Sequence, residues 1–142
     1  MVDQARPIVL LLARIAIGVV FLVHGYQKFA TMGIAGTTKF FESVGIPLAG
    51  VAAPAVAVLE VVGGLALIVG AALPLVGMLL ALNMIGAIVF VHGGSGFGAA
   101  EGGYEFVLAL AAASLAVGFT GGGAYALDSV LARRRGVAPA TI

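Results

Sequence analysis

The chain contains no cysteine, and charged side chains make up only 9% of its 142 residues. Without cysteine it forms no disulfide, thiolate nucleophile or iron–sulfur ligand of its own, so any thiol chemistry nearby belongs to a partner. A soluble domain carries about a quarter charged residues. With 62% hydrophobic residues and a mean hydropathy of +1.21, this chain lacks the polar surface to cover a water-facing globule. It reads as a membrane protein, its first partner being the lipid bilayer. A formal net charge of +1 gives no reason to expect nucleic acid or an acidic partner. Histidine is scarce too: His24 and His92 are the only two, and no HxxxH or HxxE spacing points to a metal site.

What the chain has in abundance is apolar runs. A spanning helix needs about 20 such residues, and the length accommodates four with short connections. The runs predict helices over residues 7–29, 48–70, 75–92 and 104–119 within one domain covering 1–135, with a flexible tail at 136–142. The fold class is therefore all-α, a polytopic four-helix membrane bundle. The first run resembles a signal peptide, but Arg14 interrupts it and Lys28 stands before the nearest small-residue site, so a retained helix is expected. Residues 37–44 predict a short amphipathic turn at the interface, with Phe40 and Phe41 toward lipid and Lys39 and Glu42 toward water. Arg6, Arg133, Arg134 and Arg135 flank one side and Lys28 and Lys39 the other. Basic residues favour the cytoplasm, which places both termini there and both histidines outside.

The histidines occupy matching segments, Ile17-Gly18-x4-Val23-His24-Gly25 and Ile85-Gly86-x4-Val91-His92-Gly93, which suggests two parallel repeats. Each histidine lies about 26 Å along its helix from the inner end, at the outer edge of a hydrocarbon core about 30 Å thick. Glu105 opens the last helix from that same edge, beside Tyr104, with Lys28 close by. Several readings of this cluster compete. Histidines at headgroup level can simply bond carbonyls or lipid phosphate. A metal site is disfavoured by the spacing, and a bis-histidine haem by histidines that sit at helix ends rather than within an apolar slot. A quinone headgroup fits the residue types: two neutral imidazoles as donors, Glu105 as proton acceptor, Lys28 and Tyr104 at the mouth, and apolar walls for a tail. Deeper down, Arg14 and Glu60 are expected to form a structural ion pair, because a lone charge at mid-membrane costs at least about 2.5–3.5 kcal/mol.

Taken together, Arg14, Gly18-x-x-Phe21-x-x-His24-Gly25-x-x-Lys28, Glu60-x-x-Gly63-Gly64, His92, Gly96-Phe97, Gly102-Gly103-Tyr104-Glu105 and Tyr125-x-Leu127-Asp128 resemble the pattern of the DoxX family of small four-helix membrane proteins. The likeness runs over residues 8–133 and departs at 121–124, where only small residues stand before Tyr125. The resemblance implies a four-helix bundle in the cytoplasmic membrane. It also implies an association with oxidative stress or thiosulfate–quinone chemistry, with soluble partners of superoxide dismutase or sulfurtransferase type. A subunit or accessory protein of an oxidoreductase complex fits a cysteine-free chain better than an enzyme acting alone. The residues themselves name no cofactor, and quinone is the candidate ligand. Two other classes stay open: a non-catalytic scaffold recruiting soluble redox partners, and a small-solute transporter using Arg14, Glu60 and Asn83 in a homo-oligomer.

Overall fold

Backbone groups in a bilayer have no water to bond, so apolar runs of this length satisfy their amides internally as helices. The computed structural model describes residues 2–136, and among them every regular element is helical. The expected tail lies, apart from Gly136, outside the described residues. Helix α1 (Val2–Ala30) begins before Pro7, which lies in its second turn and forgoes one intrahelical amide bond. After a turn through Gly33, α2 (Gly33–Ser43) lies against α3 (Ala49–Val69). Helix α3 stops at Gly70, which takes a left-handed conformation (φ 77°) suited to glycine. Helix α4 (Leu73–Ala87) starts with Pro74 in its first turn and continues into a π-helical turn, Ile88–His92. Two single 3-10 turns, Gly93–Ser95 and Ala99–Glu101, lead to α5 (Glu105–Phe119), and α6 (Leu127–Arg134) closes the described chain.

Among the described residues, three stretches are long and apolar enough to cross a membrane: Gln4–Ala30, Ala49–Val69 and Leu73–Ser95. Helix α5 is equally apolar but has 15 residues, about 22 Å of helix.

The helices pack chiefly as two pairs, α1 with α3 and α4 with α5. Lipid supplies no hydrophobic drive between helices, so the pairs rely on close backbone approach at small residues. A Cβ at Gly18 would stand 2.6 Å from the Gly64 carbonyl, and one at Gly25 would stand 2.9 Å from Glu60 Cβ. In the other pair, a Cβ at Gly77 would meet the Ser114 carbonyl at 2.5 Å. Ser114 is fully buried and returns its hydroxyl to Leu110 O at 2.7 Å, so it leaves no polar demand in the seam. Between the pairs lies the core of Phe21, Leu67, Leu80, Met84 and Val107.

The segment at 37–44 differs from its expectation. It belongs to a three-turn helix, and Phe41 turns inward to pack on Ala49 and Ala53, while Phe40 stays exposed. Burying one ring against the alanines of α3 removes more apolar surface than leaving both outside. Thr37, also buried, donates to Lys28 O at 3.3 Å and Gly33 O at 3.0 Å, which fixes α2 beneath the end of α1.

At the other end, Asp128 accepts from the Ala72 amide at 2.9 Å and the Leu73 amide at 3.1 Å. Its own amide donates to Gly70 O at 3.0 Å. The first amides of α4 thus find their partner on α6, since a helix leaves its opening N–H groups unbonded.

The glycine seam makes a direct prediction. Gly64→Leu should force α1 and α3 apart and lower stability by about 1–3 kcal/mol, read as a fall in thermal unfolding temperature in detergent. Gly50→Ala, where nothing lies within 4 Å of a new Cβ, should leave that temperature unchanged or raise it slightly.

Candidate ligand-binding site

The antiparallel register of α1 and α3 decides which charges meet. Gly18 faces Gly64, and Gly25 faces Glu60 and Val61, so Glu60 sits level with the His24–Gly25 turn. Lys28 is one turn further along α1, and its Nζ lies 2.6 Å from Glu60 Oε2. Asn83 of α4 donates to the other oxygen, Oε1, at 3.0 Å. Glu60 is 3% exposed, and a buried carboxylate is tolerable only when paired and hydrogen-bonded in this way.

The expected Arg14–Glu60 pair is therefore corrected: Glu60 is bridged to Lys28. Arg14 stands eleven residues before Gly25, about 16 Å away along the helix, beyond the reach of its side chain. Gly70, at the end of α3, packs directly against the Arg14 guanidinium, so Arg14 is level with that end and Glu60 lies about 15 Å further along α3. Arg14 is fully buried there and donates through Nη2 to Tyr125 O at 3.3 Å, with the Asp128 carboxylate as its nearby counter-charge. Its Nε and Nη1 have no hydrogen-bond partner among the described residues.

Above the Lys28–Glu60–Asn83 group lies a cavity of about 370 Å³. Helix α1 contributes Phe21, His24 and Lys28, and α3 contributes Ala52, Val56 and Glu60. Phe40 and Phe41 of α2 form another wall, and Phe106, Val107 and Leu110 of α5 a further one. From α4 and the π turn come Asn83, Met84, Phe90 and His92. A π turn inserts an extra residue per turn and recurs at functional sites. Here it lets the consecutive Phe90, Val91 and His92 all line one space. Five polar side chains, His24, Lys28, Glu60, Asn83 and His92, interrupt otherwise apolar and aromatic walls. The His24 and Phe106 rings stand 6.5 Å apart where α1 meets α5, and both residues are exposed there.

The structure thus brings His24, Lys28 and His92 to one cavity and leaves two of the expected site residues out of its lining. Glu105 instead accepts from the Ala99 amide at 2.8 Å, which holds the loop before α5. Tyr104 stands edge-on to Phe97, their centroids 5.4 Å apart. Helix α5 begins at Glu105, so its first side chain reaches back to the preceding loop and not down into the bundle. Both imidazoles use Nδ1 on a backbone carbonyl: His24 on Val20 O and His92 on Gly102 O, each at 2.8 Å. A carbonyl only accepts, so Nδ1 carries the proton and the remaining Nε2 of a neutral ring is an acceptor. The expectation of two imidazole donors is reversed on this point. The aromatic walls were not anticipated as a set. The signal available for them is phenylalanine at positions 21, 40, 41, 90 and 106.

The family model described as DoxX matches residues 9–93. Among similar proteins, "Putative oxidoreductase CatD" of Bacillus subtilis (strain 168) is 39% identical over 118 residues, covering 83% of each chain. "Inner membrane protein YphA" of Escherichia coli (strain K12) is 31% identical over 87% of this chain and 91% of its own. "Inner membrane protein YqjF" of the same organism is 32% identical over 87% and 92%. No solved structure matches the chain.

The ion pair predicts an asymmetric response to substitution. Lys28→Met alone should destabilise the protein by about 3–5 kcal/mol, because it strands a buried carboxylate. Adding Glu60→Gln should restore most of that loss. A double-mutant cycle on thermal or denaturant unfolding in detergent measures the coupling, which should exceed 1 kcal/mol.

Proposed function

The chain belongs to the DoxX family, and from that premise we propose that it serves a membrane redox system by holding a quinone-like ring between His24 and His92. In this reading the protein is multi-pass in the cytoplasmic membrane. Helix α5 is the fourth span, both termini are cytoplasmic and the cavity lies near the outer boundary. The observation that carries the proposal is the cavity: aromatic and aliphatic walls enclosing a few convergent polar groups, the usual constitution of a small-molecule site. Its volume of about 370 Å³ accommodates one substituted ring. A tail would leave between His24 and Phe106 toward lipid.

Lys28 supplies the cation at the floor. Its ammonium has three N–H groups and gives one to Glu60, which leaves two for a ligand oxygen. Glu60 and Asn83 hold that ammonium in place, and the imidazoles address the ring from the sides. Inner-membrane relatives support the location, and the relative whose printed name includes oxidoreductase supports the redox setting. Because the chain carries no thiol, a partner protein completes any thiol step in a complex of which this is the membrane subunit.

Binding of a short-tailed benzoquinone/benzohydroquinone couple to the purified protein in nanodiscs tests this reading. Ala87→Phe, which places a ring in the cavity, should abolish binding, and His24→Ala and His92→Ala should each weaken it about 3- to 10-fold. Binding that survives Ala87→Phe, or that neither histidine affects, places the ligand elsewhere.

A further inference from the structure

The uncommitted atoms of the cavity define the oxidation state of the ring it takes. His24 and His92 each engage Nδ1–H with a carbonyl, so each neutral ring turns a lone pair, Nε2, to whatever else it meets. The two rings come from different helices and line one cavity, and their tautomers are fixed by unrelated contacts. Val20 O lies one turn back on the same helix, whereas Gly102 O lies in the loop before α5. Two separate backbone devices therefore produce the same outcome, an acceptor on each flank.

A quinone offers only carbonyl oxygens. Placed here it satisfies the Lys28 ammonium but sets its own lone pairs against those of two imidazoles, a mismatch that costs affinity in an apolar site. The reduced ring has two hydroxyls, each a donor with acceptor capacity left over. One hydroxyl can donate to an imidazole while its oxygen accepts from Lys28, and the other donates to the second imidazole.

Resting on the reading of the cavity given above, we infer that the site recognises the reduced, two-hydroxyl form of an aromatic ring, a hydroquinone-type diphenol, in preference to the oxidised quinone. Binding alone distinguishes the two forms, with no electron transfer. The same hydroxyl chemistry is found on a tailed lipid quinol and on a soluble diphenol.

The test uses the full chain in lipid nanodiscs under anaerobic conditions. Three probes share one ring: trimethylhydroquinone, trimethylbenzoquinone and the dimethyl ether of the hydroquinone. The hydroquinone should bind about tenfold more tightly than either of the others, since each neutral hydrogen bond is worth about 3- to 10-fold. His24→Ala should cut that preference to about threefold or less. His92→Asn, whose amide can still donate to Gly102 O in place of Nδ1, should do the same, which separates the lone pair from the structural bond. A decyl-tailed hydroquinone that gains affinity assigns the ligand to the lipid phase, and one that gains none assigns it to water; the hydroxyl preference is required in both. A quinone that binds as tightly as the hydroquinone, or more tightly, overturns the inference and leaves the ring-binding reading standing. Failure of all three rings to bind removes that reading, and this inference with it.

Discussion

A carboxylate buried among hydrocarbon has to be neutralised by something, and Glu60 sets this requirement at the centre of the molecule. Lys28 reaches it from α1 and Asn83 from α4, so one side chain gathers three helices. Pairing of this kind seldom adds net stability over a well-packed apolar core. Its value lies in register: α1 and α3 can slide only by breaking it, and a slide of one turn would also drive Gly18 and Gly64 out of opposition. The glycine seam and the ion pair therefore specify the same alignment by independent means, one steric and one electrostatic.

That alignment determines what the cavity contains. With Glu60 level with His24, the ammonium of Lys28 is drawn inward and becomes the floor of a space walled by phenylalanines. Helix α2 completes it by turning Phe41 inward, held by Thr37 against the end of α1. The π turn completes it from the opposite side by bringing three consecutive residues of the second histidine segment to face one space. The two histidine segments match in sequence, yet they settle their rings differently. One bonds within its own helix and the other bonds across to a loop.

How much of this could be read from the residues follows from which constraints are local. Helix identity and membrane character follow from apolar runs, and the meeting of His24, Lys28 and His92 follows from their distance along parallel helices. The Arg14–Glu60 pair failed because helix ends do not lie at a common level: α1 overruns the end of α3 by about three turns, which only packing reveals. Phe41 could not be placed because an amphipathic turn does not show which of two adjacent rings has alanines opposite it. Glu105 looked like a site residue at the right depth, but its position as the first residue of α5 directs it to the Ala99 amide. The imidazole tautomers depend on carbonyls four and ten residues away, and no spacing rule anticipates these.

At the opposite end, Asp128 makes the C-terminal helix a fastener and not an appendage. It closes the exposed amides of α4 and lends its charge to a guanidinium sealed against Gly70. A chain shortened before this residue would uncap α4 and leave the buried Arg14 cation of α1 without its counter-charge. Such a truncation would be felt in both helix pairs at once, although it removes residues from neither.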